Sequence, residues 1–436
     1  MNPKKIKVAW ICRFSNQRVR SHLPISRSWV DRVIQRVTNK SNTYHPADYD
    51  IWISNGIVEM ESMEEIELHV ISPCDYLSSS PIEFYESGIY YHFYVNEVYS
   101  LRNKFLRKLG WKEDYEYKTN RKYISDIVNS ISPDIVHVIG ADCIFYSLST
   151  LDIPRTVPII VQLQTLLNDP EFEKNYLIPH DIYMLRSKGE LEVLKRANYI
   201  GTGVKYFYNI IHNSLVHDAV ILNINLPLTE PVNEEESEKP FDFVYFAKDI
   251  EKSVDYAIEA FALAAKQKPG ITLDIVGDYS PEYKEILDRR INDLGLTENV
   301  RFEGKLPTHD DVLKQIRLSR FAVLPMKIDL VTGTIREAMA NGIPVVTTIT
   351  PASPNLNVKR ESVLLSKKGD FQAMADNMLR LLTDKDLAER IKENAMNTAR
   401  ERESNRQIIS QWLIAYKVCI DNFRNGTPIP DDLLNK

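Results

Sequence analysis

Cysteine is scarce in this chain of 436 residues. Cys12, Cys74, Cys143 and Cys419 are scattered without metal-ligand or redox spacing. That pattern excludes a disulfide scaffold, and it sets a reducing, cytoplasmic compartment as the expectation. Long apolar runs are also missing. No stretch reaches the roughly 18 residues that a membrane-crossing helix needs. The start, Met1 to Ile11, is basic, but its apolar run is broken and too short for a signal peptide. Excess positive charge is absent too: the net charge is −6, which gives no global case for binding nucleic acid. There are only 15 glycines, so a glycine-rich phosphate loop is not available everywhere one might be sought. No internal repeat of solenoid period occurs. What remains is an ordinary globular balance, 44% hydrophobic and 26% charged, in a chain long enough for two domains with cores of their own.

The most informative segment runs from Asp329 to Thr348. Two carboxylates, Asp329 and Glu337, have seven residues between them. Thr332-Gly333-Thr334 forms a small-residue turn, and a short helix is expected from Ile335 to Ala340. Asn341-Gly342 is its stop signal, and Ile343 to Thr347 reads as an apolar strand. A glycine turn that opens a helix presents backbone N–H groups and the positive end of the helix dipole. That is a seat for a phosphate or diphosphate. A carboxylate one turn into the helix can accept hydrogen bonds from vicinal sugar hydroxyls, and one in the preceding loop can do the same for a second sugar. The arrangement suits a nucleotide diphosphate-sugar.

From Glu337 to Val346 this segment resembles the signature of the retaining GT-B glycosyltransferases, the family 4-like group (glycosyl transferases group 1). The resemblance departs at Asp329, where the family carries Glu. Further pieces occur upstream in order. Phe243 to Phe261 reads as strand, loop and helix, with Lys248 and Lys252 where the family has an Arg and a Lys that clamp the donor diphosphate. Lysine supplies point charge without the bidentate fork of arginine. Ile271 to Tyr279, with Gly277 and Asp278, resembles the family's Val-Gly-Asp-Gly turn. Asn299 to Pro307, with Gly304, resembles the segment whose backbone cradles the base. Phe321 to Pro325 is the strand leading into the acid loop.

The N-terminal half also alternates. Strands are expected at Lys7 to Ile11, Glu67 to Val70, Ile89 to Phe93, Pro133 to Gly140 and Val157 to Gln164. Helices are expected at Ser28 to Val37, Tyr117 to Ile131 and Glu190 to Ala197. The first loop, Cys12 to Pro24, lacks the family's glycines and carries Arg13, Arg18 and Arg20 instead. Gln164 stands where many members have a histidine near the reacting sugar. His137 lies in a Pro-Asp-Ile-Val-His strand and reads first as a core histidine. Arg13, His137 and Gln164 are the candidates for the acceptor and sugar side. Asp48-Tyr-Asp50 is a formal Asp-x-Asp, the metal motif of the other glycosyltransferase fold. It precedes an apolar run rather than ending one, and we read it as coincidence. Leu101 to Lys112 is a basic amphipathic stretch. It docks on its own domain or, on a second reading, touches an anionic membrane surface at the inner face.

The resemblance implies an α/β, GT-B architecture: two Rossmann-like, doubly wound parallel-sheet domains facing a cleft, with a C-terminal helix crossing back to the N-terminal domain. The expected boundaries are 1–226 for the acceptor-side domain, 227–240 for a polar linker, 241–405 for the donor domain and 406–436 for the returning helix and tail. It further implies a retaining hexosyltransferase that moves a sugar from a UDP- or GDP-sugar to a hydroxyl of a glycan or lipid-linked acceptor, as in polysaccharide or glycoconjugate synthesis. No cofactor or metal is expected, because Lys248, Lys252 and the Thr332, Gly333 and Thr334 amides can neutralise the leaving diphosphate. Glu337 would bind the ribose, and Asp329 the transferred sugar. Two other readings use the same fold: a sugar-nucleotide 2-epimerase, and a non-catalytic nucleotide-binding module that the Lys, Asp and Gln departures leave open.

Overall fold

The computed structural model describes residues 5–25, 47–74, 77, 80–99, 116–175, 179–231, 238–247, 253–328 and 332–435. Lys248, Lys252 and Asp329 lie outside these residues, as do the helix expected at Ser28 to Val37 and the basic stretch Leu101 to Lys112.

Among the described residues, fourteen strands form two sheets. They are β1 (Ile6–Ile11), β2 (Ile66–Cys74), β3 (Ile82–Glu86), β4 (Ile89–Val95), β5 (Ile135–Ile139), β6 (Ile159–Gln162), β7 (Tyr199–Gly201), β8 (Ile221–Leu222), β9 (Phe241–Phe246), β10 (Leu273–Val276), β11 (Val300–Gly304), β12 (Ser319–Leu324), β13 (Val345–Thr348) and β14 (Leu364–Ser366). The longer helices are α1 (Ile51–Met60), α2 (Lys118–Ile131), α3 (His180–Arg196), α4 (Val254–Gln267), α5 (Pro281–Asp293), α6 (His309–Arg317), α7 (Gly333–Ala340), α8 (Phe371–Thr383), α9 (Lys385–Arg400) and α10 (Asn405–Asn425).

The first sheet has the order β3-β4-β2-β1-β5-β6-β7-β8, and the second β11-β10-β9-β12-β13-β14. Every pairing is parallel except β3 with β4, a hairpin on the edge of the first sheet. Strand order reverses between β1 and β5 in one sheet and between β9 and β12 in the other, which is the doubly wound pattern. The central strands are buried apolar runs, as parallel strands covered by helices on both faces must be. The chain divides into two compact units. Apart from the segment 174–177, one comprises the residues up to Pro227 together with those from Asn405 onward, and the other comprises Leu228–Ser404.

The first unit is therefore discontinuous in sequence. Its last helix, α10, buries Ile408, Ile409, Trp412, Ala415, Tyr416 and Cys419 at 1% exposure or less, residues that recur at helical spacing. Trp10 on β1 meets Trp412 edge-on with ring centroids 5.3 Å apart, and its Nε1 donates to the Tyr416 hydroxyl at 2.9 Å. Gly56 on α1 allows this approach. A Cβ there would lie 3.3 Å from the Trp10 ring and 3.5 Å from Ile409. Removing the Trp412 ring from such packing costs about 3–5 kcal/mol. Among the described residues, no helix is long and apolar enough to cross a membrane.

Candidate active site

In parallel α/β sheets, ligands bind outside the carboxyl ends of the strands, near the point where strand order reverses. In the second unit that point lies between β9 and β12. The chain leaving β9 passes Ala247 and enters residues 248–252. The chain leaving β12 runs through Lys327 to residues 329–331 and then into α7. Lys248, Lys252 and Asp329 lie outside the described residues; in sequence they fall between β9 and α4 and between β12 and α7.

Helix α7 begins two residues before the Ile335 expected from sequence. Thr332 precedes it in the left-handed region (φ 56°) and does not cap it with its side chain. Its hydroxyl instead accepts from Arg336 Nε at 2.9 Å. At Gly333, an added Cβ would meet nothing within 4 Å among the described residues, so they leave open space beside the first turn. Thr334 is nearly buried. Ser253, which opens α4 after the other loop, is also left-handed (φ 65°). A non-glycine residue in this conformation costs roughly 1–2 kcal/mol. Ser253 and Thr332, the residues that open α4 and α7, are therefore both strained.

Glu337 stands one turn into α7, and its side chain is 22% exposed. Thr229 Oγ1 donates to its Oε1 at 3.1 Å. His309 Nε2, at the start of α6, lies 3.4 Å from that same oxygen. The Thr308 and Asp311 capping box fixes the start of α6 and so the place of His309. Sequence reasoning missed Thr229 and His309. Thr229 falls in the stretch 227–240 expected as a polar linker, and His309 belongs to no motif. Nearby, burial draws the Arg402 guanidinium down to about 10; Arg336 acts in the same direction, and Glu230 and Glu403 oppose it. An arginine pair beside α7 adds positive potential there.

Gly277 and Gly304 end β10 and β11 side by side, with Gly277 N donating to Gly304 O at 3.0 Å. Gly277 has a packing reason to be glycine, since a Cβ there would lie 2.2 Å from Ala247 O at the end of β9. Gly304 is left-handed (φ 80°). Asp278 is half exposed and pairs with Lys305 at 2.9 Å. These residues line the carboxyl edge of the sheet. Gly277 acts there through close backbone approach rather than through an established donor contact.

In the first unit, Arg13 follows β1 and lies over the Tyr49 ring at 4.3 Å. Gln164 follows β6 and packs beside Gly140, where a Cβ would lie 3.2 Å from Gln164 Oε1. His137 is different. It is fully buried, its Nδ1 lies 2.7 Å from the Tyr416 hydroxyl, and burial pushes its pKa down to about 3. It is a core histidine between Trp10, Trp412 and Tyr416, which removes it from the sugar-side candidates. Asp48 of the Asp-x-Asp is taken up in a nearly buried ion pair with Arg20 at 2.6 Å. Among the described residues, no three His, Cys, Asp or Glu side chains are arranged to hold a metal ion.

Comparison with known proteins agrees with this architecture. Sucrose-phosphate synthase from Thermosynechococcus elongatus superposes with a TM-score of 0.69 at 13% identity, over 95% of this chain and 98% of that one. Anabaena Alr3699/HepE, solved with UDP and glucose, superposes with a TM-score of 0.62 at 13% identity, over 94% and 99%. At such identity the likeness establishes the fold alone, and that fold is GT-B. Residues 229–398, which lie within the second unit, match the model of the family glycosyl transferases group 1. A curated relative, N-acetyl-alpha-D-glucosaminyl L-malate synthase of Bacillus anthracis, is 27% identical over 175 residues. That alignment covers 40% of this chain and spans less than half, 44%, of the relative.

Proposed function

We propose that the protein is a retaining glycosyltransferase that uses a nucleoside diphosphate-sugar donor and a hydroxyl acceptor. The observation that carries the reading is Glu337, a partly exposed carboxylate with one oxygen held, one turn beyond a helix start with open space at Gly333. The diphosphate would sit at the first turn of α7, where the dipole and the Thr332, Gly333 and Thr334 backbone favour negative charge. Glu337 would take the ribose hydroxyls, and Asp329 the hydroxyls of the transferred sugar. Lys248 and Lys252 would neutralise the leaving group, so that no metal ion is needed. Gly304 and its neighbours would receive the base. Arg13 and Gln164, after strands of the first unit, would face the acceptor and the sugar.

UDP is the first donor base to try, because the Anabaena protein was solved with UDP and glucose. A glycan or lipid-linked acceptor, with or without contact to an anionic membrane surface, completes the proposal. The test is a thermal-shift screen against UDP, GDP, ADP and their sugars, followed by product analysis with the stabilising donor in the presence of EDTA. Stabilisation by one nucleotide series and EDTA-resistant sugar transfer are expected. Activity lost to EDTA and restored by Mn²⁺ would overturn the metal-free mechanism. A change in the sugar itself without transfer would assign an epimerase.

A further inference from the structure

Two polar atoms converge on one oxygen of Glu337 and on each other. Thr229 Oγ1 donates to Oε1 at 3.1 Å, His309 Nε2 is 3.4 Å from Oε1, and His309 Nε2 is 3.4 Å from Thr229 Oγ1. Among the described residues, the other oxygen, Oε2, makes no hydrogen bond. The Thr229 hydroxyl has a single proton, and the carboxylate takes it. The hydroxyl lone pairs are then left for the imidazole N–H, which can be shared between Thr229 and Glu337. A glutamate on a helix surface ordinarily samples several rotamers and presents its oxygens at random. Here one oxygen is fastened from outside the helix, so the direction of the other is set before any ligand arrives.

We infer that Thr229 and His309 are positioning residues that hold Glu337 with Oε2 directed at the ribose diol. The inference rests on the reading of Glu337 as the ribose ligand given above. Neither residue touches the reacting atoms. Their contribution is the rotamer ordering that an untethered carboxylate would lose on binding, worth about three- to tenfold in affinity for a ribonucleotide. A 2′-deoxynucleotide gains less from the same ordering, because it lacks one of the two hydroxyls. The signature is therefore a ratio, ribo over deoxyribo, and a change in overall fold does not move it.

The experiment measures binding of UDP and 2′-deoxy-UDP, and of GDP and 2′-deoxy-GDP, to the full chain by calorimetry. The proteins compared are wild type, Glu337→Gln, Thr229→Val, Thr229→Ser and His309→Asn, each with its melting temperature. Wild type should prefer the ribonucleotide, and Glu337→Gln should lose that preference. Thr229→Val should lower the preference about three- to tenfold, and Thr229→Ser should keep it. His309→Asn, which reaches the same oxygen from α6, should fall between. Wild-type preference in both Thr229→Val and His309→Asn, with Glu337→Gln defective, overturns the inference and leaves the reading of Glu337 standing. No ribose preference in wild type, preference retained in Glu337→Gln, or no binding of either pair overturns that reading instead.

Discussion

Each unit places a glutamate beside the carboxyl edge of its sheet, and the two are used in opposite ways. Glu190 on α3 is fully buried. Its Oε1 accepts from Leu167 N at 3.0 Å, and its Oε2 accepts from Asn168 N at 2.9 Å and from Asn168 Nδ2 at 2.8 Å. Both oxygens are spent on the loop after β6, and burial pushes the carboxyl up to about 7. Glu337 keeps contact with solvent, and among the described residues only one of its oxygens is engaged. A carboxylate whose acceptor sites are consumed by its own backbone is a clamp on a loop. One with a tethered oxygen and a spare one is equipped to receive hydroxyls.

Substitutions can break this contrast. The largest effect is expected for Glu190→Ala, which leaves the Leu167 and Asn168 backbone N–H groups without their acceptor, while Asn168 Nδ2 keeps Ser187 O. At roughly 1–3 kcal/mol per unpaired group, a loss near 2–4 kcal/mol should appear in urea unfolding. Nucleotide affinity should stay close to wild type, and a normal unfolding midpoint would erase the distinction. Next is pH. The folded Glu190 carboxyl binds its proton more tightly than the 4.5 of an unperturbed group. Its contribution is complete below about 4.5 and is lost as pH rises through about 7, close to 3 kcal/mol in all. Glu190→Gln should flatten the stability profile across that window, and an unchanged slope would show that another group titrates there.

Glu337→Gln should cost about 1.5–3 kcal/mol of nucleoside diphosphate affinity, ten- to hundredfold, with little change in melting temperature. Asp329→Asn should spare that affinity and lower sugar turnover. Equal loss of bare-nucleotide binding in both mutants would mean that the two acids do not divide the donor between them. The smallest effect belongs to a third carboxylate, Asp278, which is paired with Lys305 but half exposed. Asp278→Asn should change stability by less than about 1 kcal/mol. A large drop in donor affinity in that mutant would move Asp278 from the surface into the site.

The parts of this molecule that could be read from sequence are those whose cause is local. A turn of small residues, a short helix and an apolar strand place α7 and β13 within two residues of expectation. The stripe of Ile409, Trp412, Ala415, Tyr416 and Cys419 announces a buried face on α10. What local pattern could not show depends on partners distant in the chain. Thr229 reaches Glu337 across 108 positions, and His309 reaches Thr229 across 80. Whether His137 faces solvent or core is decided by Tyr416, 279 positions away. Gly277 is legible as a required glycine, but its reason, the carbonyl of Ala247, lies on the neighbouring strand. The β3 edge strand escaped notice because its five residues carry glutamates at two positions and pair on one side only.

Because α10 belongs to the first unit while Leu228–Ser404 lies between, the order of synthesis differs from the order of completion. A ribosome finishes the second unit before it has made the helix that closes the core of the first. Until Trp412 and Tyr416 emerge, Trp10 and the apolar side of α1 lack the surface they pack against in the finished protein. The nascent first unit is thus an unfinished body that awaits its last segment, a natural client for holding factors. The second unit, nearly continuous in sequence, can reach its native form while the first is still open.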